Sequence, residues 1–365
     1  MQLCKTTRNA ILQPLQTVCG IIERKSTMPI LQNALLSISD GKLTAIGSDL
    51  EIQITTSAEI ETSANASFTV QGKKLSDILK ALPDTADISL AYDDKRLTIK
   101  SGKSKFNLQT IPADDFPRIK SAEATTVINI KQGVFKRLLS RTQYAMAQHD
   151  VRYYLNAVLF ELKNGKLVIV GTDGHRLAYA SESIESDGDV TAILPRKIVG
   201  ELTRQLSDGD EPLSIEVSSN QAIFRFNNVE IITKLIDGKF PDYNRVIPSI
   251  NKTIITMKSE ELQSAMQRAA ILSNEKFRGI RIVLESSLMQ IIAVNSESEE
   301  AIEELAIEYT DALLDIGFNV GYLADVLINV ASDIIELRFA DSSSSVLFTL
   351  PNDDSFKYVV MPMRI

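Results

Sequence analysis

Polar and apolar residues alternate along much of this chain, the two-residue period of strands that bury one face. Six short stretches break the alternation with apolar residues three and four apart, the spacing of an amphipathic helix. Three of them, 9–22, 134–145 and 261–271, each lead into strand pattern. That pattern reads LQNALLSISDGKLTAIGSDLEI near residue 31, YLNAVLFELKNGKLVIVGTDGHRLA from Tyr154, and GIRIVLESSLMQIIAVNSESEE from Gly279. The turn pairs Asp40-Gly41 and Asn164-Gly165, flanked by alternating apolar residues, predict tight hairpins. The other three helical stretches open KKLSDILKAL, RKIVGELTRQL and GYLADVLINV, and strand pattern follows each.

The landmarks recur at one offset. Asn33 and Asn156 lie 123 apart, and the two turn pairs lie 124 apart. Phe116-Pro117 recurs 124 residues on as Phe240-Pro241, and Glu297 falls 124 beyond Asp173. Independent landmarks sharing an offset predict a triplication. The fold expected is α+β, with three repeated domains at 1–121, 126–247 and 251–365, each holding two helices and antiparallel sheets. Polar, breaker-containing stretches near 121–126 and 247–252 mark the boundaries.

Composition narrows the chemistry. The 365 residues, 44% hydrophobic and 24% charged, are ordinary for a globular protein and too many for one core. Only two histidines (His149, His175) and two cysteines (Cys4, Cys19) are present. A structural zinc cage and a disulfide framework are both excluded on that count, and a reducing compartment is expected. No signal-peptide pattern and no apolar run of about 18 residues occur, so the expected location is cytoplasmic.

Net charge is −8, from 39 Lys and Arg against 47 Asp and Glu, which taken in bulk argues against a polyanion partner. The distribution reverses that. Windows over the helical stretches (5–25, 73–80, 131–141, 195–204, 258–270 and 322–331) hold sixteen basic and six acidic residues. Their net of +10 leaves −18 on the rest of the chain. A basic helix set on an acidic body suits phosphates on one surface and repels them elsewhere. Tyr153 and Tyr154, beside Arg152 and after His149, form the one aromatic–basic cluster. No aromatic-rich strand accompanies the charge, so base-edge readout is not indicated.

Two function classes compete. GTDGHRLA brings Asp173 and His175 together, as a hydrolase or nucleotide-binding enzyme would need. Against this, a metal would need further ligands, and phosphate-binding loops and nucleophile elbows are missing. Gly171-Thr172-Asp173 also matches Gly47-Ser48-Asp49, a hairpin-ending turn. On these residues catalysis is not the expected role, and no cofactor or metal is expected.

DVRYYLNAVLFE (150–161), GTDGHRLA (171–178), KFPDYNRVIP (239–248), LSNEKFRGIR (272–281) and YVVMPMRI (358–365) together resemble the bacterial DNA polymerase III β subunit family, the replicative sliding clamps. The resemblance runs the whole length. It implies a head-to-tail homodimer closing a six-domain ring around duplex DNA, with twelve helices inside and sheet outside. It also implies partners (DNA polymerases, the clamp loader and repair proteins) that dock through short peptide motifs, with no membrane involved.

Candidate residues follow from charge and resemblance together. For non-sequence-specific DNA contact they are Arg24, Lys73, Lys80, Arg137, Arg141, Arg196 and Lys197, with His149, Tyr153 and Tyr154 carried by the resemblance. The helical stretch 322–331 has no basic residue, so the third domain is expected to grip DNA weakly. For dimer closure, KSGKSKFNL (100–108) reads as one basic strand bearing Lys103 and Lys105. Its expected partner is the acidic run ESEEAIEELAIE (297–308), with Glu299, Glu303 and Glu304. By resemblance Phe106, Leu108, Ile271 and Leu272 form the apolar centre of that contact, and Lys74 adds charge.

The apolar ending Val359-Val360-Met361-Pro362-Met363 must pack, and packing beside a second apolar surface makes a groove. By resemblance that surface comes from Arg152, Leu155, Thr172, Gly174, His175, Arg176, Leu177, Pro241, Arg245 and Val246. Leu155, Leu177, Val246, Val359, Met361 and Met363 are the expected walls, Arg364 adds a polar group, and Pro362 holds the tail extended. Methionines here, and at Met146, suit a groove with several partners. The expected ligand is a short flexible peptide with one or two large apolar anchors and a glutamine or acidic residue.

Overall fold

Every α-helix begins on the residue after a strand, with no loop between them, in the computed structural model, which describes residues 1–23, 27–186, 188–249 and 253–364. The first repeat runs β1 (Gln2–Thr7), α1 (Arg8–Cys19), β2 (Asn33–Ser39), β3 (Lys42–Ser48) and β4 (Ile52–Glu59). The same order then returns as β5 (Ala66–Gln71), α2 (Gly72–Ala81), β6 (Asp87–Tyr92), β7 (Arg96–Ser101) and β8 (Ser104–Pro112). The second repeat gives β9 (Thr126–Lys131), α3 (Gln132–Ser140), β10 (Ala157–Lys163), β11 (Lys166–Thr172) and β12 (Arg176–Ser183). It continues with β13 (Val190–Pro195), α4 (Arg196–Gln205), β14 (Pro212–Val217), β15 (Gln221–Phe226) and β16 (Val229–Lys234). The third opens with β17 (Thr253–Lys258), α5 (Ser259–Ala270), β18 (Gly279–Glu285), β19 (Leu288–Val294) and β20 (Glu300–Ala306). It closes with β21 (Leu314–Asn319), α6 (Val320–Asn329), β22 (Ile334–Phe339), β23 (Val346–Leu350) and β24 (Asp353–Val360). The repeat is thus itself doubled, six copies of strand–helix–three strands; the sequence pattern gives the two helix-and-strand halves of each repeat but not the strand that precedes each helix.

Local chemistry explains the elements. Thr7 caps α1 by accepting from the Ala10 amide, and Asn319 caps α6 by accepting from Gly321 and Tyr322. α1 buries Ile11, Leu12, Leu15 and Val18, one helical stripe. Asp40-Gly41 and Asn164-Gly165 both take positive φ, 50° and 73° in one pair and 49° and 71° in the other, as two-residue hairpins require. Gly47 and Gly171, 124 apart, share a packing role. A Cβ at Gly47 would lie 2.8 Å from the Val18 carbonyl oxygen, and one at Gly171 would lie 2.4 Å from that of Thr142.

The strand register corrects one repeat landmark. Asp49 Oδ1 accepts from the Glu51 and Ile52 amides, and Asp173 Oδ1 accepts from those of His175 and Arg176. The third copy of this turn is built on Asn295, whose Oδ1 accepts from Glu297 and Glu299, so Glu297 is not the counterpart of Asp173. The helical charge surplus also shrinks. The six helices carry ten basic and five acidic residues, a net of +5. Lys5, Lys131 and Lys258 belong to β1, β9 and β17, Arg141 follows α3, and Arg24 and Lys25 lie outside the described residues.

Two compact units emerge, Met1–Gly133 with Arg204–Leu235, and Val134–Thr203 with Ile236–Ile365. In the first, a twelve-stranded sheet runs β1-β6-β7-β8-β5-β2-β3-β4-β16-β15-β14-β9. The antiparallel pairing of β4 with β16, Thr56 opposite Val229 through Ile52 opposite Thr233, joins two repeats into one sheet. In the second, an eight-stranded sheet runs β13-β10-β11-β12-β24-β23-β22-β17, and a four-stranded sheet runs β20-β19-β18-β21. There β12 pairs with β24, Arg176 opposite Val360 through Ala180 opposite Phe356. The core of this unit gathers Leu262 and Met266 of α5 with Leu323 and Val326 of α6 against the sheets.

Candidate functional site

In the second unit, a groove of about 350 Å³ opens beside the β11–β12 turn, within the size range of ligand pockets. The turn is set by Thr172, whose Oγ1 donates to the Arg176 carbonyl at 2.6 Å and accepts from the Gly174 amide at 3.1 Å. Gly174 sits at φ 92°, a conformation that favours glycine. β24 reaches the turn because it pairs with β12, and one more hydrogen bond, Met361 N–H to the His175 carbonyl at 2.9 Å, extends that ladder. Leu155, Leu177 and Val359 are buried at its base, while Val246 (40% exposed) and Met361 (47% exposed) remain open at its walls. Arg152, Thr172, Gly174, His175, Arg176, Pro241 and Arg245 also line it, as the resemblance implied, and Tyr154 and Ser345 join them.

Part of the expected tail does not line the groove. Pro362, Met363 and Arg364 lie outside its lining, because the Met363 amide donates to the Gly317 carbonyl on β21 at 2.9 Å. Met146 is buried and takes no part either. Among the described residues no Asp or Glu lines the groove, whereas Arg152, His175, Arg176 and Arg245 do. Arg152 is held by Asp150, whose carboxyl is drawn down to about 2 by the Arg152 side chain and amide. Arg245 pairs with Asp242 at 3.0 Å.

Arg176 is a strut of this groove. Its Nε donates to Asp173 Oδ2 at 3.1 Å, its Nη2 to the Tyr144 carbonyl at 2.8 Å, and its Nη1 to Asp325 of α6 and to the Tyr358 hydroxyl. The guanidinium also lies 4.5 Å over the Tyr322 ring. Burial alone would lower its pKa, but Tyr358, Asp325 and Asp173 outweigh it and the net shift is upward. The pairing of Asp173 and His175 expected for an enzyme is spent on structure. Both Asp173 oxygens are engaged by the turn and by Arg176, and His175 is exposed and stacked near Tyr322. Among the described residues, no group of three or more His, Cys, Asp or Glu is placed to hold a metal.

The expected DNA-contacting residues divide. Lys73 and Lys80 of α2 line a cavity of about 870 Å³ in the first unit, together with Lys74 and Arg204. Lys74, expected at the dimer contact, thus shares the rim of the lysines expected at DNA. In the second unit Arg137 pairs with Glu182 at 2.7 Å. Arg141 lies over the Phe356 ring and 3.8 Å from Asp353, and burial, then Arg137, outweighs Asp353 to lower its pKa. Arg196 Nη1 donates to the carbonyls of Met146 and Ala147, Lys197 is exposed and engaged within the fold, and Tyr154 half-buries at the groove. His149 (φ 59°) and Tyr153 are exposed. Arg24 lies outside the described residues.

The expected dimer residues occupy two open strand edges. The basic stretch is a hairpin and not one strand, because Gly102 (φ 52°) and Lys103 turn β7 into β8. Residues 104–109 of β8 pair with β7 on one side only, and Lys105, Phe106 and Leu108 lie along that segment. β20 is the edge of its sheet and carries Glu303 and Glu304, with Glu299 just before it. Glu303 is also held by Arg268 through two bonds of 2.8 and 2.6 Å. Beyond α5, Ile271 is 78% exposed and Leu272 is half-buried.

Comparison with known proteins places this architecture. Models of the DNA polymerase III beta subunit match along the chain, the N-terminal domain at residues 1–120, the central domain at 129–242 and the C-terminal domain at 244–364. A beta sliding clamp of Pseudomonas putida is 42% identical over 361 residues, covering 98% of both chains. That of Escherichia coli K12 is 41% identical over 360 residues with the same coverage. A crystal structure of a Pseudomonas aeruginosa sliding clamp bound to griselimycin superposes with a TM-score of 0.96 at 40% identity, covering 100% of both chains. Caulobacter crescentus pol III beta gives 0.93 at 36% identity, again over 100% of both. With three clamp domains, helices and antiparallel sheets in that order, and relatives matched end to end, the chain belongs to the bacterial DNA polymerase III beta subunit family, the DNA sliding clamps.

Proposed function

We propose that two copies of this protein close head to tail into a ring that holds duplex DNA by topology, and that polymerases dock in the groove at β11–β12. The observation that carries this is a repeated strand junction. β4 pairs with β16, and β12, the counterpart of β4, pairs with β24, the counterpart of β16. The remaining counterparts are β20 and β8, each with an unpaired edge. A third junction of the same kind, formed between copies, is a heterologous contact, and such a contact repeated twice closes a ring.

The repeat also supplies the register. Lys42 opposite Glu59 corresponds to Leu288 opposite Ala306, and Val229 corresponds to Ser104, each the first residue after its hairpin turn. Carrying over Thr56 opposite Val229 sets Glu303 opposite Ser104, Ala301 opposite Phe106 and Glu299 opposite Leu108. One residue further, Lys103 faces Glu304, and Lys105 stands diagonal to both Glu300 and Glu304, within reach of long side chains. Phe106 then lies on the Ala301 face, which packs toward the core that holds α5, and exposed Ile271, just beyond α5, is the apolar partner we assign to it.

DNA contact is diffuse and read without sequence. Lys73 and Lys80 carry it in the first unit, with His149 and Tyr153 in the second, while Arg137, Arg141, Arg196, Lys197 and Tyr154 add background potential from positions already engaged in the fold. The groove takes an extended peptide whose apolar anchors sit on Leu155, Leu177 and Val359. Cysteines at Asn107 and Glu300, joined by a short bismaleimide, should give a covalent dimer retained on circular DNA and lost from linear DNA. Cross-linking only after a shift of two residues would overturn the register, and equal retention on both templates would overturn the ring.

A further inference from the structure

A second depression of about 580 Å³ adjoins the groove and shares three of its own six lining residues with it, Tyr154, Pro241 and Arg245. The other three are Lys239, Phe240 and Asp242. Phe240 is 9% exposed, so it forms a floor, and Tyr154 stands 3.8 Å from where a Gly238 Cβ would be. The two basins therefore adjoin along Tyr154, Pro241 and Arg245, so a chain leaving the groove past these residues enters the second basin.

Charge decides what the second basin accepts. Asp242 spends Oδ2 on Arg245 Nε at 3.0 Å and directs Oδ1 at the Asn244 amide at 3.3 Å. Lys239 is exposed and forms no ion pair among the described residues. Arg245 keeps its outer nitrogens open, its side chain being 86% exposed. The basin thus presents one unmatched ammonium beside a half-used guanidinium, next to a groove with no acidic lining residue among the described residues.

We infer that the second basin is a specificity subsite, in which Lys239 takes a carboxylate of the docked partner segment a few residues beyond its apolar anchors. The inference rests on the groove reading above. It assigns partners of stated chemistry, extended segments with apolar anchors flanked on one side by acidic residues, and it makes Lys239 a selector among partners that share the same anchors. Electrostatic selection of this kind sets preference and on-rate more than total affinity.

The test uses the full-length protein and fluorescein-labelled synthetic peptides carrying one set of leucine and phenylalanine anchors. Flanks are glutamate, glutamine or lysine runs, placed before or after the anchors, and affinity is read by fluorescence polarisation. For one placement, glutamate flanks should bind the wild type about two- to fivefold tighter than glutamine flanks. That advantage should vanish in Lys239→Ala, and Lys239→Glu should prefer the lysine-flanked peptide. High salt should erase the differences and leave anchor binding in place. A glutamate advantage that persists in Lys239→Ala, or no flank dependence in either placement, overturns the subsite. Met361→Ser separates the two readings. It should weaken every peptide alike, whereas undiminished binding there would overturn the groove itself.

Discussion

Arg176 ties the β11–β12 turn to α6, so the two should be energetically coupled across 149 residues of sequence. The side chain is 10% exposed and engages two carboxylates, a carbonyl, a hydroxyl and a ring. Arg176→Met keeps the volume but leaves those acceptors without a cation. Removing one member of a buried charged network costs about 3–5 kcal/mol. Asp325→Asn should cost less, about 1 kcal/mol, because Asp325 is 38% exposed and water screens the pair. The double variant should fall short of the sum by about 0.5–2 kcal/mol, since the partners are in contact. Urea denaturation followed by circular dichroism measures all three, and polarisation with an anchor peptide reads the groove in parallel. Both Arg176 variants should also lose peptide affinity, because the side chain lines the groove and its Nε holds Asp173 in the turn. A stability loss for Arg176→Met below about 1 kcal/mol, or strict additivity within about 0.3 kcal/mol, would refute the strut.

Three further outcomes are expected. Gly171→Ala drives a Cβ into the Thr142 carbonyl and should destabilise by about 1–3 kcal/mol, whereas Gly200→Ala, in α4 with open space around its Cβ, should stabilise by about 0.5–1 kcal/mol; thermal melts that reverse this order would contradict the packing. Arg152 holds the Asp150 carboxyl down to about 2, below its usual 3.8, so its stabilising contribution should be complete above the unfolded value and lost as pH falls through about 2. Carboxyl carbon NMR should show that low midpoint, and Arg152→Gln should move it up; an unmoved midpoint would remove Arg152 as the cause. Burial, against the pull of Lys73 and Lys80, pushes the Cys19 thiol up to about 11, so a disulfide reagent at pH 8 should modify it slowly until urea is added; rapid labelling of the native protein would show an accessible thiolate.

Much of this protein is written locally. The Asp40-Gly41 and Asn164-Gly165 turns, the helical stripes and the shared 124-residue offset are short-range signals, since turn dihedrals and side-chain periodicity depend on a few neighbouring residues. The groove residues around Thr172, Gly174 and Leu177 were legible because one compact motif carries them. Ser345 was not, because it lies in a run of serines with no pattern of its own and meets the groove through the pairing of β23 with β24 and of β24 with β12. Charge counted by window misled for the same reason. Lys131 and Arg141 sit at helix ends in sequence, but Lys131 ends β9 beside Asp210, and Arg141 turns back onto Phe356 and Asp353.

Tertiary structure alone decided which strands zip together. The pairing of β4 with β16 spans about 170 residues and leaves no mark on either strand, because backbone hydrogen bonds are the same for any sequence and register is set by faces that must be buried together. Through that pairing three equal repeats condense into two units, and β8 and β20 are left with unpaired edges. The sequence carried three similar modules and the chemistry of their surfaces. Long-range strand pairing determined which of those surfaces stay open.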